Sequence, residues 1–292
     1  MSTPNVTTTT ENITRTVYGA VVQTTLFLDQ AFTLVANSTL NEKFGVQAGV
    51  SSSVTPTLGY FGIGIGGHTM TAGTDGIYLP TPVEHEATDA ALFNHLPFVL
   101  CLPTNDLSQA EQANYAMRTT VTVAGVTYIA YYLKVLDFSS TQIQMQLKSV
   151  DNLGNVTTTP FVPSTSNLNP TPSALATSGV NVTTGNYVTS TAKVTITFST
   201  DDITNLQNVA NILYGSEQYA LISEMCLVSG VPKPISVTPQ SGASYTFEEV
   251  IMAQVCSFVN TLIPVQFLNT AVSVVLDLGA TEALLSQATS NS

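Results

Sequence analysis

Strict alternation of apolar and polar side chains marks several stretches of the chain. In TQIQMQLK, residues 141–148, Ile143, Met145 and Leu147 fall on one face and Gln142, Gln144, Gln146 and Lys148 on the other. In AKVTITFS, residues 192–199, Val194, Ile196 and Phe198 oppose Lys193, Thr195 and Thr197. A period of two over this length predicts half-buried β-strands. TTVTVAGVTYIAYYLKVLDF, residues 119–138, predicts a hairpin turning at Ala124-Gly125. DNLGN, residues 151–155, predicts a second turn, so residues 119–162 read as an antiparallel meander.

Helical periodicity is rarer. STDDITNLQNVANILYG, residues 199–215, has acids in its first turn. Ile203, Leu206, Val209, Ala210 and Leu213 follow at helical spacing, with Gly215 as the stop. Ser108 to Glu111 is a capping-box pattern and predicts a short helix through Arg118. Thr88 to His95 predicts another, ended before Pro97. Thr246-Phe247-Glu248-Glu249 opens a stretch up to Pro264 whose composition suits a capped helix or a strand. The expected fold is mainly β with a few short helices (α+β): antiparallel sheets, a sandwich- or barrel-like core and a long Thr/Ser/Pro-rich loop. That loop, residues 155–190, is either a projecting arm that touches a neighbouring subunit or a linker. It separates an N-terminal part, 1–154, from a C-terminal part, 191–292, that completes the core and carries a subunit interface.

Composition changes the picture in one respect. The 292 residues can bury a sizeable core. Only 9% of them are charged, against roughly a quarter in ordinary soluble domains. Thr, Ser, Asn and Gln carry the polarity instead. A free surface with so few charges is weakly hydrated, which favours burial against partners. The balance is 19 acidic to 7 basic residues, and the cations stand singly along the chain. Nucleic-acid affinity needs clustered cations, and anionic membranes repel a net charge of −12, so neither is an expected partner. Residues 250–276 lack charge, but Gln254, Asn260, Pro264, Gln266 and Asn269 interrupt them, so core or interface is expected rather than a membrane span. The N-terminal residues show neither a basic region nor a clean apolar one, and no signal peptide is expected. Cys101, Cys226 and Cys256 are three and widely spaced, which fits reduced core thiols in a cytoplasm. The five N-x-[ST] sequons are then a by-product of Thr/Asn-rich composition.

Candidate chemistry centres on residues 60–73, YFGIGIGGHTMTAG. Gly62-x-Gly64-x-x-Gly67 has the spacing of a dinucleotide fingerprint. That fingerprint works only where a helix starts inside the motif and aims its N-terminus at the pyrophosphate. Here two more glycines and two prolines follow, with no helical period. Gly62, Gly64, Gly66 and Gly67 therefore read as a strand or bulge where backbones approach closely, and no cofactor is expected. His68, His85 and His95 lie nearby with Glu84, Glu86 and Asp89. Their spacing matches no compact metal site, and polar contacts tying the glycine segment to the Thr88 helix are the expected role. Cys101 reads as a core thiol. Asp201-Asp202 and Glu248-Glu249 read as helix-start acids. No catalytic residue is expected.

Three stretches share a further feature. NSTLNEKFGVQAG (37–49), YFGIGIGGHT with LPTPVEHEATDAALFNHLPFVL (60–69 and 79–100) and LDLGATEALL (276–285) together resemble virion structural proteins of tailed bacteriophages, of the neck, tail and baseplate-wedge type. The resemblance implies a β-rich, non-enzymatic subunit that folds in the host cytoplasm and joins a symmetric virion assembly. Its implied partners are other copies of itself and other virion structural proteins. Two other function classes remain open at this point. One is a surface adhesin or glycan-binding module, against which the lack of tryptophan weighs. The other is a metal-dependent hydrolase using His68, His85 and His95.

Overall fold

The computed structural model describes residues 13–35, 37–74, 77–165, 181–238, 242 and 244–287. Strands hold 49% of the chain and helices 19%, and the sheets are antiparallel, which makes the fold the expected mainly β, α+β class. The chain runs β1 (Ile13–Arg15), α1 (Val17–Leu28), α2 (Leu40–Phe44), β2 (Thr57–Gly64), β3 (His68–Ala72), β4 (Tyr78–Pro82), β5 (His95–Leu96) and β6 (Val99–Cys101). It continues through α3 (Gln109–Gln112), β7 (Tyr115–Val123), β8 (Val126–Val135), β9 (Ile143–Val150), β10 (Val156–Pro160) and β11 (Asn181–Phe198). Next come α4 (Thr200–Tyr214), β12 (Ile222–Val237), β13 (Tyr245–Ile263) and β14 (Val272–Gln287). The chain forms two compact units, Met1–Asp137 with Thr197–Val272 and Phe138–Ile196 with Ser273–Ser292. The second unit is thus inserted after β8 and closed by β14, a different division from 1–154, 155–190 and 191–292.

In the first unit the sheet order is β1-β13-β12-β2-β8-β6, with β5 also on β2 and β7 also on β8. β12 and β13 form a long hairpin at its centre. Ile222 to Val231 are buried without a break, and so are Val250 to Val255. A strand covered on both faces has no polar side to alternate with. This is why the uncharged stretch shows no period of two, and residues 246–263 are strand, ending at Pro264. Glu248 and Glu249 accordingly sit in β13 and start no helix.

Coverage comes from short helices and one loop. Gly19 of α1 lies so close to β13 that a Cβ there would sit 2.5 Å from the Cys256 carbonyl oxygen. Ile203, Leu206, Val209 and Ala210 of α4 are buried, the helix forms where the sequence predicted it, and a Ser199–Asp202 capping box opens it. Residues 38–52 are tied to β13 side chain by side chain. Asn41 donates to Val250 O (2.8 Å) and accepts from Ala253 N (2.7 Å). It thereby brackets Met252, whose φ of 55° leaves neighbouring backbone groups without ladder partners.

Four expectations need correction. The helix at Ser108 has its capping box but ends at Gln112, because Tyr115, Ala116 and Met117 are buried as the start of β7. Residues 88–95 form no helix; 88–94 are a loop whose backbone turns inward and His95 begins β5. Residues 119–162 are not one meander. The β7–β8 hairpin turns at Ala124-Gly125 as expected, but β9 and β10 pair in the second unit's sheet, order β10-β9-β11-β14. The supposed loop 155–190 contains β10 and the start of β11, and residues 166–180 lie outside the described residues.

Candidate functional site

β2 delivers the glycine run to a buried carboxylate. Gly62 and Gly64 pair with Cys226 and Glu224 of β12. A Cβ on Gly64 would lie 2.4 Å from Glu224 Oε1, and one on Gly67 2.3 Å from the Ser223 carbonyl oxygen. These glycines have no room for side chains, as the strand reading expected. The Gly66 N–H donates to Glu224 Oε1 at 2.8 Å, and the Gly67 N–H to Ser223 Oγ at 3.0 Å.

The opposite side of Glu224 is closed by the 84–94 loop. The Asn94 N–H reaches Oε1 at 2.9 Å and the Phe93 N–H reaches Oε2 at 3.0 Å. His85 Nε2 lies 2.8 Å from Oε2, and its Nδ1 lies 3.0 Å from Asp89 Oδ2. The Glu86 N–H also donates to Asp89 Oδ2. The imidazole is stacked between Phe93 and Phe258, with centroids 3.9 and 3.8 Å away and planes within 10°. The side chains of His85 and Glu224 are fully buried, whereas that of Asp89 reaches the surface.

This arrangement explains itself electrostatically. A buried carboxylate is tolerated only when its lone pairs are filled, and Glu224 accepts three backbone bonds besides the imidazole. Both ring nitrogens face carboxylate oxygens. Both oxygens of Glu224 and both ring nitrogens of His85 are engaged, which fixes the glycine segment against the loop. Sequence reading singled out His85, Asp89 and the glycines but missed Glu224. Its signal was present: it is the lone charge in the apolar run LISEMCLVSGV, residues 221–231.

The other candidates fall apart spatially or are accounted for locally. His95 is in β5, and its Nε2 accepts the Leu92 N–H at 3.1 Å. Burial, the Lys43 ammonium and His85 hold it down to about 3. His68 starts β3, and its Nδ1 is buried with no partner among the described groups. The three histidines do not converge, and no group of three His, Cys, Asp or Glu among the described residues is placed to hold a metal. Cys101 packs beside Asp106, which also holds Arg118 at 2.8 Å and the Tyr131 hydroxyl at 2.6 Å. Burial and Asp106 push the Cys101 thiol up to about 12. Cys226 and Cys256 are free thiols raised by burial, consistent with the core-thiol reading. Asp202 caps α4 and pairs with Lys134. Glu249 is buried, bonded to Gln47, and raised by desolvation.

The surface of each unit carries large apolar side chains. On α1, Phe27 is 87% exposed beside exposed Leu26 and Leu28. In the second unit Ile143 is 77% and Leu153 87% exposed. The period-two pattern of β9 therefore gave its strand but not a buried apolar face. Among the described residues no helix is long and apolar enough to cross a membrane, which says nothing of strands.

No curated protein matches the sequence, and no solved structure matches the fold. A family model does match, over residues 1–292, and the chain belongs to that family, DUF7208, a family of unknown function.

Proposed function

We propose that this chain is a non-enzymatic structural subunit that works by docking to neighbouring protein subunits, in the virion of a tailed bacteriophage. The observation that carries the reading is the exposed apolar surface on a chain so poor in charge. Monomeric proteins keep contiguous apolar patches small, and larger ones mark interaction sites. Here Leu26, Phe27 and Leu28 cluster at the end of one helix, and Ile143 and Leu153 stand out of the second unit. The buried Glu224 lends support, because its bonds to Gly66, Phe93, Asn94 and His85 tie backbone segments together. The virion setting rests on the resemblance of residues 37–49, 60–100 and 276–285 to neck, tail and baseplate proteins. Copies of this chain and other virion proteins are then its partners.

The test is light scattering after size exclusion, with negative-stain images, on the wild type and on Phe27→Asp. A defined oligomer or ring that Phe27→Asp weakens supports the reading. A monomer at every concentration, together with absence of the chain from particles purified from the cells that make it, overturns it.

A further inference from the structure

β3 and β4 form a two-stranded ribbon that pairs with no other strand among the described residues. Such a ribbon is marginal in water by itself. Its register pairs Thr69 with Thr81, Met70 with Pro80, Thr71 with Leu79, and His68 with Pro82. The bonds just outside the ladder, Val83 N to Gly67 O at 2.9 Å and Gly73 N to Ile77 O at 2.7 Å, fix its phase. Odd-numbered residues exchange bonds across the ribbon; even-numbered residues point their backbone groups outward.

That phase makes the two edges unlike. On β4 the outward positions include Pro80 and Pro82, which have no N–H. Proline on an edge is a device against strand addition. On β3 the outward positions are His68, Met70 and Ala72, each with a donor and an acceptor. β3 contains no proline and no charged residue. One face of the ribbon carries Met70, Ala72, Tyr78, Pro80 and Pro82, with Met70 55% and Tyr78 63% exposed. The other carries a threonine pair, Thr81 Oγ1 donating to Thr71 Oγ1 at 2.8 Å.

We infer that the outer edge of β3 pairs antiparallel with β3 of a second copy of this chain, giving a four-stranded sheet β4-β3-β3-β4 across a two-fold axis at Met70. The inference rests on the docking reading above and names one of its contacts. Among the described residues each ribbon has a single open edge, so the contact is self-complementary and closes after two copies. Centring on Met70 sets Met70 against Met70 and His68 against Ala72, and without Asp, Glu, Lys or Arg on β3 no like charges oppose it. The edge is short, so the isolated dimer is weak and concentration-dependent. Inside a larger assembly a weak contact suffices, because neighbours are held at high effective concentration.

The test is sedimentation equilibrium of the full chain over a wide concentration range, comparing wild type with Met70→Pro and Met70→Lys. Met70→Pro removes the outward N–H and leaves the ribbon's internal bonds intact; Thr69 is already extended, as a residue before proline must be. Both central bonds of the two-fold contact disappear, so the dissociation constant rises about tenfold or more. Met70→Lys keeps the N–H but sets two ammonium groups face to face, and serves if the proline variant misfolds. An unchanged far-UV spectrum with weakened self-association in either variant supports the contact. A wild-type oligomer indifferent to both substitutions overturns it and leaves the docking reading standing. A wild-type monomer throughout overturns it and counts against both.

Discussion

Replacing Glu224 by glutamine changes one atom at the centre of the clamp. The carboxylate accepts from Gly66 and Asn94 at one oxygen and from Phe93 and His85 at the other. The amide keeps one oxygen, which can go on serving Gly66 and Asn94. Its NH2 then faces the Phe93 N–H, donor against donor. An orphaned buried donor costs about 1–3 kcal/mol, and turning charge-assisted bonds into neutral ones costs about 1 kcal/mol more. The His85 ring can adapt by accepting at Nε2 and donating to Asp89, so that contact adds little. The expected loss is about 3 kcal/mol, equivalent to a fall of about 6–12 °C in the melting temperature of a unit this size. Urea unfolding and scanning calorimetry at neutral pH measure both. A variant within about 0.5 kcal/mol of wild type would show that Glu224 is not a filled, charged acceptor, and the account of the clamp would fail.

Other outcomes follow from neighbouring geometry. His95 is neutral in the folded chain down to about pH 3, whereas an unfolded histidine protonates near 6.5. Its contribution to stability is therefore complete above about pH 6.5 and falls below it by up to about 1.4 kcal/mol per pH unit; His95→Gln should flatten that part of the urea stability profile. Gly67→Ala drives a Cβ into the Ser223 carbonyl and should cost about 1–3 kcal/mol or more, read by the same unfolding assay. Asn41→Ala strands Val250 O and Ala253 N beside Met252 and should cost about 2–4 kcal/mol, with faster amide exchange at Ala253.

Much of the local structure is legible from residue order because local rules govern it. The α4 helix carries its cap, its apolar stripe and its glycine stop within residues 199–215, and it forms as that pattern requires. The Ala124-Gly125 turn needs two residues with positive φ, and they have it at 48° and 81°. The helix at Ser108 shows the limit. Its cap is local, but its length was decided by the burial of Tyr115 and Met117 in β7. The loop at 88–94 shows the same limit: its helical composition loses to the demand of Glu224 for the N–H groups of Phe93 and Asn94.

The sequence by itself determined the mainly β class and the close approach at the glycines. These follow from composition, from side-chain volume and from short-range periodicity. Only the tertiary structure decided which strands pair. A period of two marks a strand without naming its neighbour, so β8 and β9 look continuous in sequence yet pair in different sheets. The clamp joins residues more than a hundred positions apart. No local pattern connects Glu224 to His85; what connects them is the need of a buried carboxylate for donors, and the fold brings those donors within reach.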